Sequence, residues 1–91
     1  MYAVAYTKKM YRDMKRMAKR GKDMRKLLEV IDLLSTGNPL PTRYRDHALT
    51  GNRKGYRDCH IESDWLLIYK VVNDALIIVA AETGTHSDLF G

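Results

Sequence analysis

Two segments in the second half of the chain, Trp65–Val72 and Leu76–Ala81, constrain its fold more than anything else in the sequence. Both are apolar at odd and even positions alike, with Lys70 the one charged interruption. A strand that is apolar on both faces needs neighbours at its edges and cover over its surface, so both are predicted as central strands with helices on one side. Asn73-Asp74 between them is a tight-turn signal, and the second strand is expected to run over Ala75–Thr83. Tyr56–Ile61 reads as a further strand, with period-2 alternation. Tyr2–Tyr6, short and rich in β-formers, reads as the first.

The helices that supply the cover lie between the first strand and the rest. Thr7 is placed as an N-cap. After it, Met10, Met14, Met17 and Ala18 recur at i, i+4, i+7 and i+8, one apolar face, while Arg12, Lys15, Arg16 and Lys19 fill much of the remainder. Gly21 breaks the pattern. A second helix is expected over Asp23–Ser35, its inner face formed by Met24, Leu27, Leu28, Ile31 and Leu34, and stopped by Gly37, Pro39 and Pro41. Asn38–Lys54 reads as a loop with one short helical turn. With 91 residues there is room for one core and no separate cofactor domain. The prediction is a single α+β domain over residues 1–91, β-α-α-β-β-β, with two N-terminal helices packed on one face of a small antiparallel-rich sheet.

Charge is unevenly spread. Of 16 basic residues, 10 lie between Lys8 and Lys26, and the formal net charge is +5. A basic half of this kind points to a polyanionic partner, either nucleic acid or an acidic protein segment. Cys59, the single cysteine, excludes an internal disulfide and fits a reducing, cytoplasmic setting. The N-terminal residues lack the apolar stretch of a signal peptide, and no run is long enough to span a membrane, so no membrane partner is expected.

Chemistry gathers around the strand Tyr56–Ile61. Alternation puts Tyr56, Asp58 and His60 on one face and Arg57, Cys59 and Ile61 on the other. A face that presents Tyr, Asp and His in a row is not an apolar core. Asp64 follows at the next turn, His86 lies just after the last strand, and His47 sits in the basic loop before the sheet. A thiol nucleophile is disfavoured because Cys59 faces away from His60. Convergence of the histidines with Asp on a metal is open in principle, but their spacing matches no zinc signature, and neither metal nor cofactor is expected. The sequence has no Gly-rich phosphate loop. RNA cleavage asks less of a protein. The ribose 2′-hydroxyl is a nucleophile already tethered beside the phosphate, so a base, an acid and positive charge suffice. Histidine serves as either acid or base near neutrality.

Four pieces taken together carry a resemblance: Tyr44-Arg-Asp-His-Ala-Leu-Thr-Gly51, Gly55-Tyr-Arg-Asp-Cys-His60, Asp64-Trp-Leu-Leu-Ile-Tyr-Lys70 and Thr83-Gly-Thr-His-Ser-Asp-Leu-Phe90. In this order and at these intervals the chain resembles the YafQ toxins of the RelE family, over essentially its whole length. The resemblance implies a RelE-like, microbial-RNase-like fold. It implies the toxin of a type II toxin–antitoxin pair, a ribosome-dependent endoribonuclease that cuts mRNA in the ribosomal A site and is held in check by a cognate antitoxin. It also implies catalytic positions at His47, His60, Asp64 and His86, an acidic site residue at Asp58, and a C-terminal aromatic at Phe90 that packs against a base or orders the site. Arg45, Arg53, Lys54 and Arg57 are the expected RNA-binding cations. Which histidine is acid and which base stays open, with His86 and one of His47 and His60 as the expected pair. Relatives commonly carry Arg where this chain has Glu82, an acid that would oppose catalysis unless it faces away or is paired. A non-catalytic RNA- or antitoxin-binding module on the same scaffold is the alternative. The basic helix region Lys8–Lys26 is the expected docking place of an acidic antitoxin segment or of ribosomal RNA.

Overall fold

A computed structural model describes residues 1–91. It contains a five-stranded mixed sheet with the order β1-β5-β4-β3-β2. β1 is Ala3–Tyr6, β2 His47–Ala48, β3 Arg57–Glu62, β4 Trp65–Val72 and β5 Ile77–Gly84. The helices are α1 (Lys8–Lys19), α2 (Met24–Ser35) and α3 (His86–Phe90). β4 is central, as its two apolar faces require. β2 to β5 pair antiparallel with their neighbours, and only β1 runs parallel, alongside β5.

Helices α1 and α2 cover one face over a core of Met10, Met17, Leu27, Ile31, Trp65, Leu67, Tyr69 and Ile78. Thr7 does cap α1, accepting the Met10 N–H at 2.9 Å, while Asp23 caps α2. Gly37 takes a left-handed φ of 81°, which lets the chain leave α2 without a Cβ clash. Two expectations for the helix faces fail. Ala18 and Leu28 are exposed, and the inner positions are taken by Asp13 and Val30. Both failures come from a stripe read one position too wide.

Asp13 explains how α1 meets the sheet. β1 pairs with β5 only as far as Ala80, so the next part of the β5 edge has no strand beside it. The N-terminal part of α1 takes its place. The Thr7 hydroxyl donates to the Ala81 carbonyl at 2.7 Å, and the Thr83 N–H donates to Asp13 Oδ2 at 3.1 Å. Buried backbone donors require partners, and a carboxylate supplies one here. Thr83 extends the network by accepting from Trp65 Nε1–H and donating to the Leu66 carbonyl.

Three further boundaries differ from expectation. The β4–β5 connection is a four-residue turn rather than two, with Leu76 at φ 53°, so β5 starts at Ile77. β2 is a two-residue strand inside the predicted loop, flanked by two short 3₁₀ turns at Thr42–Tyr44 and Gly51–Arg53. α3 was not expected, and it lies on the sheet face opposite α1 and α2. There Leu89 closes a second cluster with Leu66, Ile68 and Ala81, backed by Leu49 and Tyr56.

Candidate active site

The face under α3 carries the polar residues of β3. His47 on β2 is the cross-strand partner of Asp58, and His60 lies two residues further along the same face. A register shift between His60 and Glu62 bends the end of β3, a local irregularity of the kind that re-aims side chains. His86 is the first residue of α3, fixed by the Thr85 cap and its reciprocal hydrogen bonds with Asp88. The His60 and His86 rings stand 5.5 Å apart, centre to centre.

The three imidazoles share one arrangement. His47 Nδ1 lies 2.8 Å from the Arg45 carbonyl, His60 Nδ1 3.3 Å from the Ser63 carbonyl, and His86 Nδ1 2.6 Å from Asp64 Oδ1. A carbonyl oxygen only accepts, and so does a carboxylate, so each Nδ1 carries the proton and each Nε2 is left to act. Asp64 also accepts the His86 backbone N–H at 2.9 Å. These two hydrogen bonds, the backbone one first, hold its carboxyl below the usual range.

Asp58 sits beneath the three rings. Its side chain is almost wholly buried, with Oδ1 3.2 Å from His47 Nδ1. The His47 N–H is committed to Arg45, so Oδ1 has proximity to a ring but no hydrogen bond. Burial raises the Asp58 carboxyl above its ordinary value, and attraction to His47, His60 and His86 opposes that rise without cancelling it. His47 and His86 each expose about half of their side chains. The site is an open shelf, accessible to a polymer.

The predicted cations divide. Arg45 and Lys54 stand exposed on the loop beside the shelf. Arg57 does not join them, because it lies on the opposite face and pairs with Asp46 at 3.2 Å, whose carboxylate also accepts from Tyr69. Arg53 is held from three sides. It donates to both oxygens of Glu82, at 3.1 and 3.2 Å, and to the Leu89 carbonyl at 2.9 Å, and it stacks 4.8 Å from the Phe90 ring centre. Glu82 therefore faces the shelf side with its charge met. Burial alone would raise its carboxyl, but Arg53 and Lys9 more than offset this. Cys59 is buried on the helix side, its thiol pushed up mainly by burial, consistent with no nucleophilic role.

Asp13, Arg20 and Asp46 were not singled out from the sequence, yet each supports the shelf. Arg20 grips Asp88 with two hydrogen bonds, at 2.5 and 3.1 Å, and so ties α3 to the end of α1. Asp13 shows a legible signal, lying three residues after Met10 and four before Met17 on the inner face. The Arg20–Asp88 and Arg57–Asp46 pairs join distant parts of the chain and leave no local pattern.

The chain matches, over residues 2–91, the family described as bacterial toxin of type II toxin-antitoxin system, YafQ. It is 46% identical over 89 residues to mRNA interferase toxin YafQ of Escherichia coli K12, covering 97% of this chain and 95% of that one. Its fold superposes on the crystal structure of YafQ from E. coli BL21(DE3) with a TM-score of 0.92, at 41% identity over the whole of both chains. YafQ in the E. coli DinJ–YafQ complex matches with a TM-score of 0.89, again at 41% identity and full coverage of both. Sequence and fold agree, and the chain belongs to the YafQ family of type II toxin–antitoxin toxins.

Proposed function

We propose that this protein is a ribosome-dependent mRNA interferase that cuts RNA by metal-independent acid–base catalysis, with His60 and His86 as the working pair. The observation that carries the reading is the common anchoring of the three Nδ1 atoms, which turns every Nε2 on the shelf toward chemistry. One imidazole takes the proton of the 2′-hydroxyl as the 2′-oxygen bonds to phosphorus. The other gives a proton to the 5′-oxygen as its bond to phosphorus breaks, leaving a cyclic phosphate. Each proton transfer contributes roughly 10²–10⁴-fold. His60 is favoured over His47 as the partner of His86 by its 5.5 Å ring separation. Asp64 orients His86, and Asp58 supplies negative charge that steadies whichever ring is protonated. Arg45 and Lys54 are placed to hold the RNA backbone. Glu82, neutralised by Arg53 and Lys9, does not oppose the scissile phosphate, so nothing favours the non-catalytic alternative.

Similarity to YafQ of the DinJ–YafQ complex supports an antitoxin partner that binds and silences the toxin. The reading is tested by cleavage of a translated mRNA in a reconstituted system. Wild-type protein cuts only when ribosomes are engaged and is insensitive to chelator, and His86→Ala loses at least about tenfold. Wild-type activity in His86→Ala, or abolition by chelator, overturns it.

A further inference from the structure

Strand β2 is two residues long and carries His47 at its first position, on the outer edge of the sheet. Its ladder with β3 begins at the His47–Asp58 pair, so strand pairing does not hold the residues just before it. Arg45 there has a left-handed φ of 50°, a conformation that a residue with a Cβ keeps only when its surroundings enforce it. On one side the Arg45 N–H closes the preceding turn on the Thr42 carbonyl at 3.0 Å. On the other side the hold falls to the side chain of Asp46.

Asp46 turns to the helix side of the sheet while His47 turns to the shelf. Its carboxylate accepts from the Tyr69 hydroxyl, and from Arg57 at 3.2 Å. Tyr69 and Arg57 are cross-strand partners on β4 and β3, and the Tyr69 ring is buried in the core. One carboxylate thus joins the edge of the sheet to its centre. Arg45 and Asp46 share a planar peptide, so fixing Asp46 fixes the direction of the Arg45 carbonyl. That carbonyl is the oxygen that receives His47 Nδ1–H at 2.8 Å.

His47 has a second acceptor within reach. Asp58 Oδ1 lies 3.2 Å from the same Nδ1 and is buried without a hydrogen bond. A carboxylate is the stronger acceptor of the two, and the His47 side chain is half exposed, with room for its ring to turn. The carbonyl keeps the proton only while it is held in place. We propose that Asp46, gripped by Tyr69 and Arg57, is a positioning residue that holds the Arg45 carbonyl against His47 and keeps that ring from turning onto Asp58. His47 then presents Nε2 to the shelf, and Asp58 stays uncommitted beneath all three rings. The assignment rests on the RNA-cleavage reading only where it touches activity.

Tyr69→Phe tests it, because the variant removes the hydroxyl, keeps a ring in the core and leaves the Asp46 charge in place. Carbon-13 NMR of the Asp58 carboxyl, followed across pH, needs no substrate. The groups that face Asp58 are His47 from β2, His60 from its own strand and His86 from α3, with the Asp46 charge nearby, and Tyr69→Phe removes none of them. Once released, His47 donates to Oδ1, and a donor favours the carboxylate, so the Asp58 midpoint is expected to fall below that of the wild type. In a His47→Ala background the same change should leave the midpoint where it was. An unmoved midpoint in Tyr69→Phe, or an equal fall in both backgrounds, overturns the proposal. Cleavage supplies the second readout. Tyr69→Phe is expected to lower kcat by about tenfold with KM within about twofold, the cost of a misplaced group, and to add nothing to the loss in His47→Ala. Asp46→Asn, which keeps an acceptor for the hydroxyl, should lose less kcat than Asp46→Ala. Additive losses with His47→Ala, or equal losses in the two Asp46 variants, overturn the positioning role. A wild type that cuts no RNA would sink the cleavage reading and leave the carboxyl titration to decide the role of Asp46.

Discussion

At the scale of single residues, Asp58 is the one that sets function against stability. Its carboxylate is buried, lacks a hydrogen bond at Oδ1 and is raised by desolvation. A carboxyl whose folded value lies above its unfolded one binds its proton more readily in the native state. The penalty is therefore full above the folded value and is relieved as the pH falls through it toward the unfolded value near 4. Asp58→Asn removes this pH-dependent cost. It should raise Tm at neutral pH by several degrees, corresponding to about 1 kcal/mol, while cleavage falls at least about tenfold. Calorimetry at pH 7 alongside a cleavage assay checks both halves, and a lowered Tm contradicts the assignment. Alternation placed Asp58 and His60 on one face from sequence alone, and the structure agrees. The same rule fails at Glu82. Glu82 pairs with Ile68 but Ala80 with Tyr69, so β5 carries one extra residue at Ala81. That bulge moves Glu82 to the shelf face and turns Thr83 toward the helices. No residue type announces it, because Ala81 is as ordinary in a regular strand as in a bulge.

For the elements, α1 behaves as a substitute strand as much as a covering helix. Asp13 accepts the Thr83 N–H that β1 is too short to reach, and Lys9 and Arg16 flank its carboxylate. Asp13→Ala leaves a buried donor unpaired and should cost about 1–3 kcal/mol. Asp13→Asn keeps an acceptor and should cost less. Urea denaturation orders the two, and equal losses would show that the Thr83 contact contributes nothing. Helix and strand periods, caps and the glycine stop were all legible in the sequence because each is a local signal. α3 was not, since five residues carry no period. β2 escaped for a similar reason, being two residues whose pairing is defined wholly by β3.

On the scale of the whole molecule, the basic region divides into cations that hold the fold and cations that are free. Lys9, Arg16 and Arg20 pair with Asp13, Glu82 and Asp88. Lys8, Arg12, Lys15 and Lys19 are exposed, and their i, i+4, i+7, i+11 spacing aligns them in one stripe away from the Met10 and Met17 face. If the stripe tracks an RNA backbone, changing all four to Gln should flatten the log–log salt dependence of ribosome binding by about 3, with stability within about 0.5 kcal/mol of wild type. A binding isotherm series across salt reads the slope directly, and an unchanged slope assigns the stripe to solvent. The parallel pairing of β1 with β5 has a kinetic consequence as well. Ala3 lies opposite Ile77, so that ladder closes a very long loop, whereas β3, β4 and β5 follow one another as a local meander. The meander is expected to form first and the β1–α1 segment to dock last. Leu89 and the His86–Asp64 bonds already join the helix that carries His86 to the meander, and the clasp of Asp88 by Arg20 at the end of α1 is added only at that final step. A partly folded chain would then hold His86 through the meander alone, and the full bracing of the shelf would arrive last in the life of each molecule.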